Sequence, residues 1–364
     1  GGEGGEGGEG GEGGDDAAAA AAAAGGFVQA SARYVFSHAR AACVWRDGSL
    51  QAELEQHELV IVADTTPVAR PMLQHGWPGA GSRTRLLLWV CNRFDYGVVG
   101  DGAYYALLRA AAANPRVTLV AYTPFEHAYA REVRGVAWPS TALLRPIGRF
   151  ADSARPAAAA RLEAAPRADE RGHYFFVAPK VNEARLGLAA ALRGLGLPVW
   201  TPGTWPHTAE RWAGDHCDAR CASAAVASFR ATIHVPYAPS TFALFEQAQA
   251  GRLTFVPSVP LMLQWAAHEQ LFFQATPTDF VSTGRGTAPL SRQHLQTTEY
   301  YDPQNAELFV YFDSLADLQR KLAETDYAVR EARVRAWAER HTNTTSQRWQ
   351  TLSSFLIGAD GGTI

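Results

Sequence analysis

Ser240 and Thr241 stand just ahead of a helical stretch, and Glu246 lies about one turn inside it. The first N–H groups of a helix have no partner within the helix, and the helix dipole adds positive potential there. Such a spot suits a phosphate or another anion. A carboxylate one turn further in can accept from a pair of neighbouring hydroxyls. A second set of chemically able residues lies in the first half of the chain, where Asp64, Asp95, Glu126 and His127 each follow a short apolar run. The adjacent Glu126-His127 pair can supply a base near neutral pH, because histidine titrates there and a nearby carboxylate tunes it.

The elements that must position these groups alternate between strand and helix. Ile233 to Val235 is an apolar run closed by Pro236. Pro239-Ser240-Thr241 supplies a turn and hydroxyl caps for a helix over Phe242 to Ala250, and Gly251 stops it. Leu253 to Val256 is the next buried strand, ended by Pro257. Upstream, Leu59 to Ala63 and Leu86 to Val90 are continuous apolar runs of the kind that strands covered on both faces require. Tyr104 to Ala113 reads as a helix and Val117 to Tyr122 as a strand, followed by a loop over Thr123 to His127. In the second half, His173 to Ala178 is a strand, Pro179 to Asn182 a loop carrying Lys180, and Glu183 to Leu195 an amphipathic helix capped by Asn182. Val199 and Trp200 lead into a loop ending at Trp205. Glu307 to Phe312 is a late strand, Ser314 to Leu322 a helix, and Asp326 to Phe355 contains further helical stretches.

This alternation predicts an α/β fold with two Rossmann-like, doubly wound parallel sheets facing a cleft. The polar clusters then lie at strand C-termini, where open sheets of this kind bind ligands. Residues 1–26, a Gly-Gly-Glu repeat running into polyalanine, cannot bury a core and read as a disordered tail. Residues 27–150 form the first domain, 151–172 an Ala-, Arg- and Pro-rich linker, 173–325 the second domain, and 326–364 C-terminal helices.

Composition narrows the function. A net charge of −3 excludes a general nucleic-acid binder, whose phosphates call for a basic surface. Four cysteines are too few and scattered for a disulfide scaffold, which favours a reducing, cytoplasmic setting. The chain begins at Gly1 without methionine, so localisation is left open. No run reaches the roughly 18 apolar residues of a membrane span. His216, Cys217 and Cys221 lack the second pair of a zinc knuckle, and no metal site is expected. No Gly-x-Gly-x-x-Gly follows a strand, and Walker and Gly-x-Ser-x-Gly motifs are absent, which argues against dehydrogenases, P-loop enzymes and α/β-hydrolases.

The stretch Ile233 to Ser258 resembles the donor-binding unit of GT-B glycosyltransferases, in which a strand ending near Pro-Ser precedes a small-residue loop, a helix with a glutamate, a glycine and another strand. Pro236, Ser240, Thr241, Glu246, Gly251 and Pro257 carry the resemblance. It covers most of residues 55 to 355, loosely outside that stretch, and departs from many retaining members at Ala238, where their first glutamate of a Glu-x7-Glu pair would stand. The resemblance implies transfer of a sugar from a nucleotide-sugar donor to a glycan, protein or small-molecule acceptor, with no other cofactor. Lys180, Ser240 and Thr241 would meet the diphosphate, Glu246 the ribose, and Trp205 and Tyr237 would also line the donor site. The base would come from Asp64, Asp95, Glu126 or His127 of the acceptor-binding first domain. Absence of Asp-x-Asp favours metal-independent transfer. The C-terminal helices would cross back to the first domain. A GT-B-fold sugar-nucleotide epimerase and an inactive sugar- or nucleotide-binding scaffold are the alternatives.

Overall fold

The computed structural model describes residues 38–46, 48–63, 66–91, 94, 95, 98, 100–137, 143–147, 172–177, 186–201, 229–268 and 291–357. Among these, two parallel sheets define an α/β fold. The first sheet has β1 (Leu59–Val62), β2 (Arg85–Val90) and β3 (Val117–Ala121) in sequence order, all parallel. Before and between these strands run α1 (His38–Trp45), α2 (Ser49–Leu54), α3 (Arg70–Gln74) and α4 (Gly102–Ala113). Strand β2 is an unbroken apolar run because both its faces are covered. Leu86, Leu88 and Val90 pack with Tyr104, Tyr105 and Leu108 of α4. Leu87 lies on the opposite side with Leu352 and Leu356 from the far end of the chain.

Beyond β3, residues 124–128 are not a loop but a short helix, α5 (Pro124–Ala128), continued by a π-helical turn over Tyr129–Val133. Thr123 caps it by accepting from Glu126 N–H at 3.3 Å, and Pro124 at the first position needs no N–H partner. Five residues are too few to show a helical period in sequence.

The second sheet contains β4 (Tyr174–Val177), β5 (Val199–Trp200), β6 (Ala231–His234), β7 (Thr254–Pro257) and β8 (Phe309–Phe312), in the spatial order β5-β4-β6-β7-β8. Every pair is parallel. Its helices are α6 (Leu188–Gly194), α7 (Phe242–Gln249), α8 (Val259–His268), α9 (Arg292–Gln296) and α10 (Leu315–Glu324). Within the expected helix, Gly187 at φ 60° separates Leu186 from α6, and residues 182–185, with the expected cap Asn182, fall outside the described residues. The stretch before β8 is a 3₁₀ turn over Pro303–Leu308, capped by Asp302, rather than strand.

The chain ends in one continuous helix, α11 (Tyr327–Ile357), of 31 residues, which at 1.5 Å per residue is about 46 Å long. Its first half packs on the second sheet through Val334, Trp337 and Ala338. Its last turns reach the first sheet, where Trp349 meets Trp89 edge-on at 5.1 Å. Among the described residues no helix is long and apolar enough to cross a membrane.

Helix α7 stops where glycine makes the stop possible. Gly251 has φ +70° and its N–H donates to Ala248 O, while Arg252 N–H reaches back to Gln247 O, so both orphan carbonyls are satisfied. A Cβ at this position would lie 2.6 Å from Arg335 Nη1 and 2.7 Å from Arg335 Cγ on α11. Gly251→Ala is expected to lower stability by about 1–3 kcal/mol in urea unfolding, from the left-handed backbone together with displacement of Arg335. A midpoint equal to the parent protein's would show that neither effect operates.

Candidate functional site

The strand order of the second sheet reverses between β4 and β6: β5 lies on one side of β4, whereas β6, β7 and β8 run off on the other. In doubly wound sheets such a reversal is the place where ligands bind, and the loop that follows β4 lies outside the described residues. The loop after β6, residues 235–241, and the start of α7 form one wall. On it Ser240 is buried, Tyr237 and Thr241 are half-buried, and Glu246 stands half-buried one turn into α7.

The first sheet meets this wall. Tyr122, immediately after β3, stacks on Phe242 with centroids 6.0 Å apart and planes 10° from parallel. The Tyr122 hydroxyl lies beside Ser240 Oγ, and burial pushes its phenol far above the usual range. Glu126 is close enough to Tyr122 to add to that shift. The C-terminal end of β3 and the head of α7 therefore share one small region, which joins Glu126 to Ser240 and Thr241.

Beneath the loop lies a buried polar chain that sequence reading did not single out. His234, the last residue of β6, is fully enclosed, and burial pushes its imidazole down to about 3, so the ring is neutral. Its Nε2 is 3.2 Å from the Tyr300 hydroxyl, which is in turn 3.3 Å from Thr241 Oγ1. Tyr237 stacks on the histidine at 5.7 Å. The predicted hydroxyl cap is thus corrected: Thr241 occupies the N-cap position of α7 but makes no side-chain cap bond, its oxygen being turned to Tyr300.

Tyr300 belongs to the segment 298–302, which ties the sheets together. Arg145, beyond β3, donates through Nε to both carboxylate oxygens of Glu299 at 2.9 and 3.0 Å, through Nη2 to Asp302, and through Nη1 to Gln304 at 3.1 Å. Arg145 is only 5% exposed and Glu299 0%, so a full ion pair is enclosed. Glu299 also accepts from the Asn305 amide, and its own N–H donates to Pro239 O at 2.9 Å. Burial raises the Glu299 carboxyl, while the guanidinium and the Asn305 amide act to lower it. The Tyr301 hydroxyl donates to Pro257 O at the end of β7. A Glu and an Asp spaced through aromatics in Glu299-Tyr300-Tyr301-Asp302 was the available signal, but its partner lies 154 residues away.

Of the other expected residues, Asp95 is fully buried and accepts from Tyr105 Oη at 2.8 Å, Tyr129 Oη at 3.0 Å and Arg134 Nε at 3.1 Å. The Arg134 guanidinium lies over the rings of Tyr105 and Tyr129, which fix its plane. Asp95 is thus the centre of a packed polar cluster. Glu126 is also buried and accepts from Phe94 N–H at 3.3 Å. His127 is half-buried, and burial and the charge of Arg131 both hold its imidazole below the ordinary histidine value. Asp64, Lys180 and Trp205 lie outside the described residues. Among the described residues no three His, Cys, Asp or Glu side chains converge on a point that could hold a metal ion. At the head of α7 the Leu244 N–H already donates to Thr241 O at 3.1 Å, so the groups that could meet a ligand there are the N–H groups of Phe242 and Ala243 and the half-buried Glu246 carboxylate.

No family model matches the sequence, and no curated protein matches it.

Removing one partner of an enclosed ion pair leaves the other charged and desolvated, which costs about 3–5 kcal/mol. Arg145→Met is expected to lose that much in urea unfolding. The triple variant Arg145→Met, Glu299→Gln, Asp302→Asn should regain most of it, and a triple variant as unstable as the single one would refute the account. His234 sets a pH dependence. Its folded pKa is depressed, so below about pH 6.5 the unfolded chain binds a proton that the folded protein refuses, and stability falls as pH drops toward 3. His234→Gln should flatten the decline between pH 7 and 5, read from the urea midpoint at each pH.

Proposed function

We infer that the protein is a nucleotide-sugar-dependent glycosyltransferase of the two-domain GT-B type, with the donor on the second-sheet half (residues 173–325) and the acceptor on the first (residues 27–150). One observation supports this reading: the head of α7, with Ser240 and Thr241, follows β6 beside the strand-order reversal of the second sheet, and its Phe242 stacks on Tyr122 at the C-terminal end of β3. Two strand C-terminal edges brought into contact, each of a kind that suits ligands, would provide for two substrates and a reaction between them.

In this scheme the diphosphate rests on the α7 N–H groups and Ser240, with Lys180 beside it, and Glu246 accepts from the ribose hydroxyls. Tyr237 and Trp205 line the donor site. For an inverting transfer, a base on the first sheet takes the acceptor hydroxyl proton as that oxygen bonds to the anomeric carbon. The bond from that carbon to the diphosphate breaks, and its electron pair leaves with the phosphate oxygen, whose charge the helix head stabilises. Because Asp95 is held by two tyrosines and Arg134, Glu126 and His127 are the better placed candidates. The desolvated His127 ring stays neutral near pH 7 and can accept a proton. Without an Asp-x-Asp pair, the leaving group depends on protein cations and dipoles, so turnover should persist in EDTA.

A second reading, a nucleotide-sugar-binding protein without turnover, is favoured by one fact: Asp95 and Glu126 already serve internal hydrogen bonds. Calorimetric titration with UDP, GDP and their sugars, followed by assay of nucleoside diphosphate release with acceptor extracts, separates the two. Binding with release and glycan product is expected; binding alone leaves the second reading, and absence of binding removes both. Glu246→Ala should weaken nucleotide affinity by about 1.5–3 kcal/mol. Replacing the true base should lower turnover by about 10²–10⁴ with affinity kept.

A further inference from the structure

In the first turns of α7, Leu244, Phe245, Gln247 and Ala248 are buried, which leaves Phe242, Ala243 and Glu246 on the open side. Phe242 and Glu246 stand four positions apart and are therefore neighbours on that face. Among the described residues Phe242 is the single phenylalanine, tyrosine or tryptophan with an exposed side chain, at 45%. The other large exposed apolar residues, Ile61, Val68, Val329 and Ile357, are aliphatic, and isolated aliphatic groups at a surface need no explanation. A ring differs from them because its flat, electron-rich face can be covered by another flat apolar surface.

Tyr122 fixes the plane of this ring. The two rings lie 10° from parallel with centroids 6.0 Å apart, and Tyr122 is itself only 6% exposed, a fixed support at the end of β3. Parallel rings in contact at that centroid distance are offset, so Tyr122 covers part of Phe242 and leaves the rest open. Helical side chains lean toward the helix N-terminus, so the ring projects past the start of α7, to the side where β3 ends. Tyr237, on the loop before α7, is held in the same way: it is half-buried and lies 12° from parallel to the His234 ring.

We propose that Phe242 is a stacking platform for the apolar C–H face of a pyranose ring. This rests on the nucleotide-sugar reading, which puts the ribose at Glu246 and the diphosphate at the helix start. The sugar beyond the diphosphate, and the acceptor sugar that meets it, then lie on the Tyr122 side, where the ring is. A nucleobase would also stack on an aromatic ring, but in that reading it lies beyond the ribose, on the far side of Glu246. Sugar C–H groups carry slight positive charge against the negative ring face, and covering both removes apolar surface from water.

The test is NMR titration of the full chain, with isotope-labelled phenylalanine rings, against methyl glycosides of glucose, galactose and mannose, and against UDP-glucose and GDP-mannose. Nuclear Overhauser contacts are expected from a phenylalanine ring to pyranose C–H protons. Their appearance with a methyl glycoside assigns the platform to the acceptor, and their appearance with the nucleotide sugars alone assigns it to the donor. Phe242→Leu should abolish these contacts and weaken that sugar ligand about tenfold, the worth of roughly 50 Å² of apolar surface returned to water. Phe242→Tyr should keep both, and UDP and GDP should bind Phe242→Leu as they bind the wild type. If Phe242→Leu does not fold, the contacts in the wild type still decide, since they require no variant. Phe242→Leu with wild-type sugar affinity overturns the proposal, as do contacts that fall on the base protons instead of the pyranose. A wild type that binds UDP or GDP but shows no ring-to-pyranose contact loses the platform alone. One that binds none of the probes overturns the nucleotide-sugar reading and the platform with it.

Discussion

The ion cluster of Arg145 with Glu299 and Asp302 is the constraint on which the arrangement of the crevice depends. Its charges are buried, so each is tolerable only while the others stay in place, and the geometry that satisfies them is narrow. Arg145 comes from the first sheet's side and its acceptors from the turn between α9 and β8. That turn also carries the N–H that holds Pro239 and the hydroxyl that holds Thr241. One enclosed interaction therefore sets both the relation of the sheets and the position of the loop between them.

The second fastening is apolar. Helix α11 puts Trp337 and His341 against Phe245 of α7, then passes along the first sheet, where His341 Nε2 lies 2.9 Å from Pro146 O and Arg348 donates to Leu143 O at 3.0 Å. Leu352 and Leu356 complete the exposed face of β2 and β3 with Leu87 and Val120. A helix this long needs tertiary burial to persist, and here each half is covered by a different sheet. The two fastenings differ in kind: the ionic one is directional and intolerant of displacement, whereas the apolar one scales with area.

Around the crevice, polar groups divide into those already satisfied and those left open. Asp95 is enclosed with Tyr105, Tyr129 and Arg134, which makes it a structural centre of the first half. His234 is neutral through burial alone. At the start of α7 the Thr241 hydroxyl turns to Tyr300, the Leu244 N–H donates to Thr241 O at 3.1 Å, and the Ser240 hydroxyl is enclosed.

Sequence alone determined what depends on neighbours along the chain. The run LLLWV formed the body of β2 because a strand covered on both faces must be apolar, LVIV formed β1 although its Ile61 is exposed, and Gly251 ended α7 because only glycine accepts its φ without cost. The site loop was legible too, since strand, proline, hydroxyl pair, helix and glycine follow one another within 26 residues. What only the tertiary structure decided involves residues far apart. Arg145 carries no local signal in the sequence, and its Glu299 acceptor stands 154 positions away. Thr241 read as a cap because capping is the local preference of its backbone, and Tyr300, 59 residues on, overrode it. Asp95 read as one of four candidate bases at strand ends and is held by Tyr129 and Arg134. In each case a hydroxyl or a charge had a local use available, and burial beside a distant partner made another use lower in free energy.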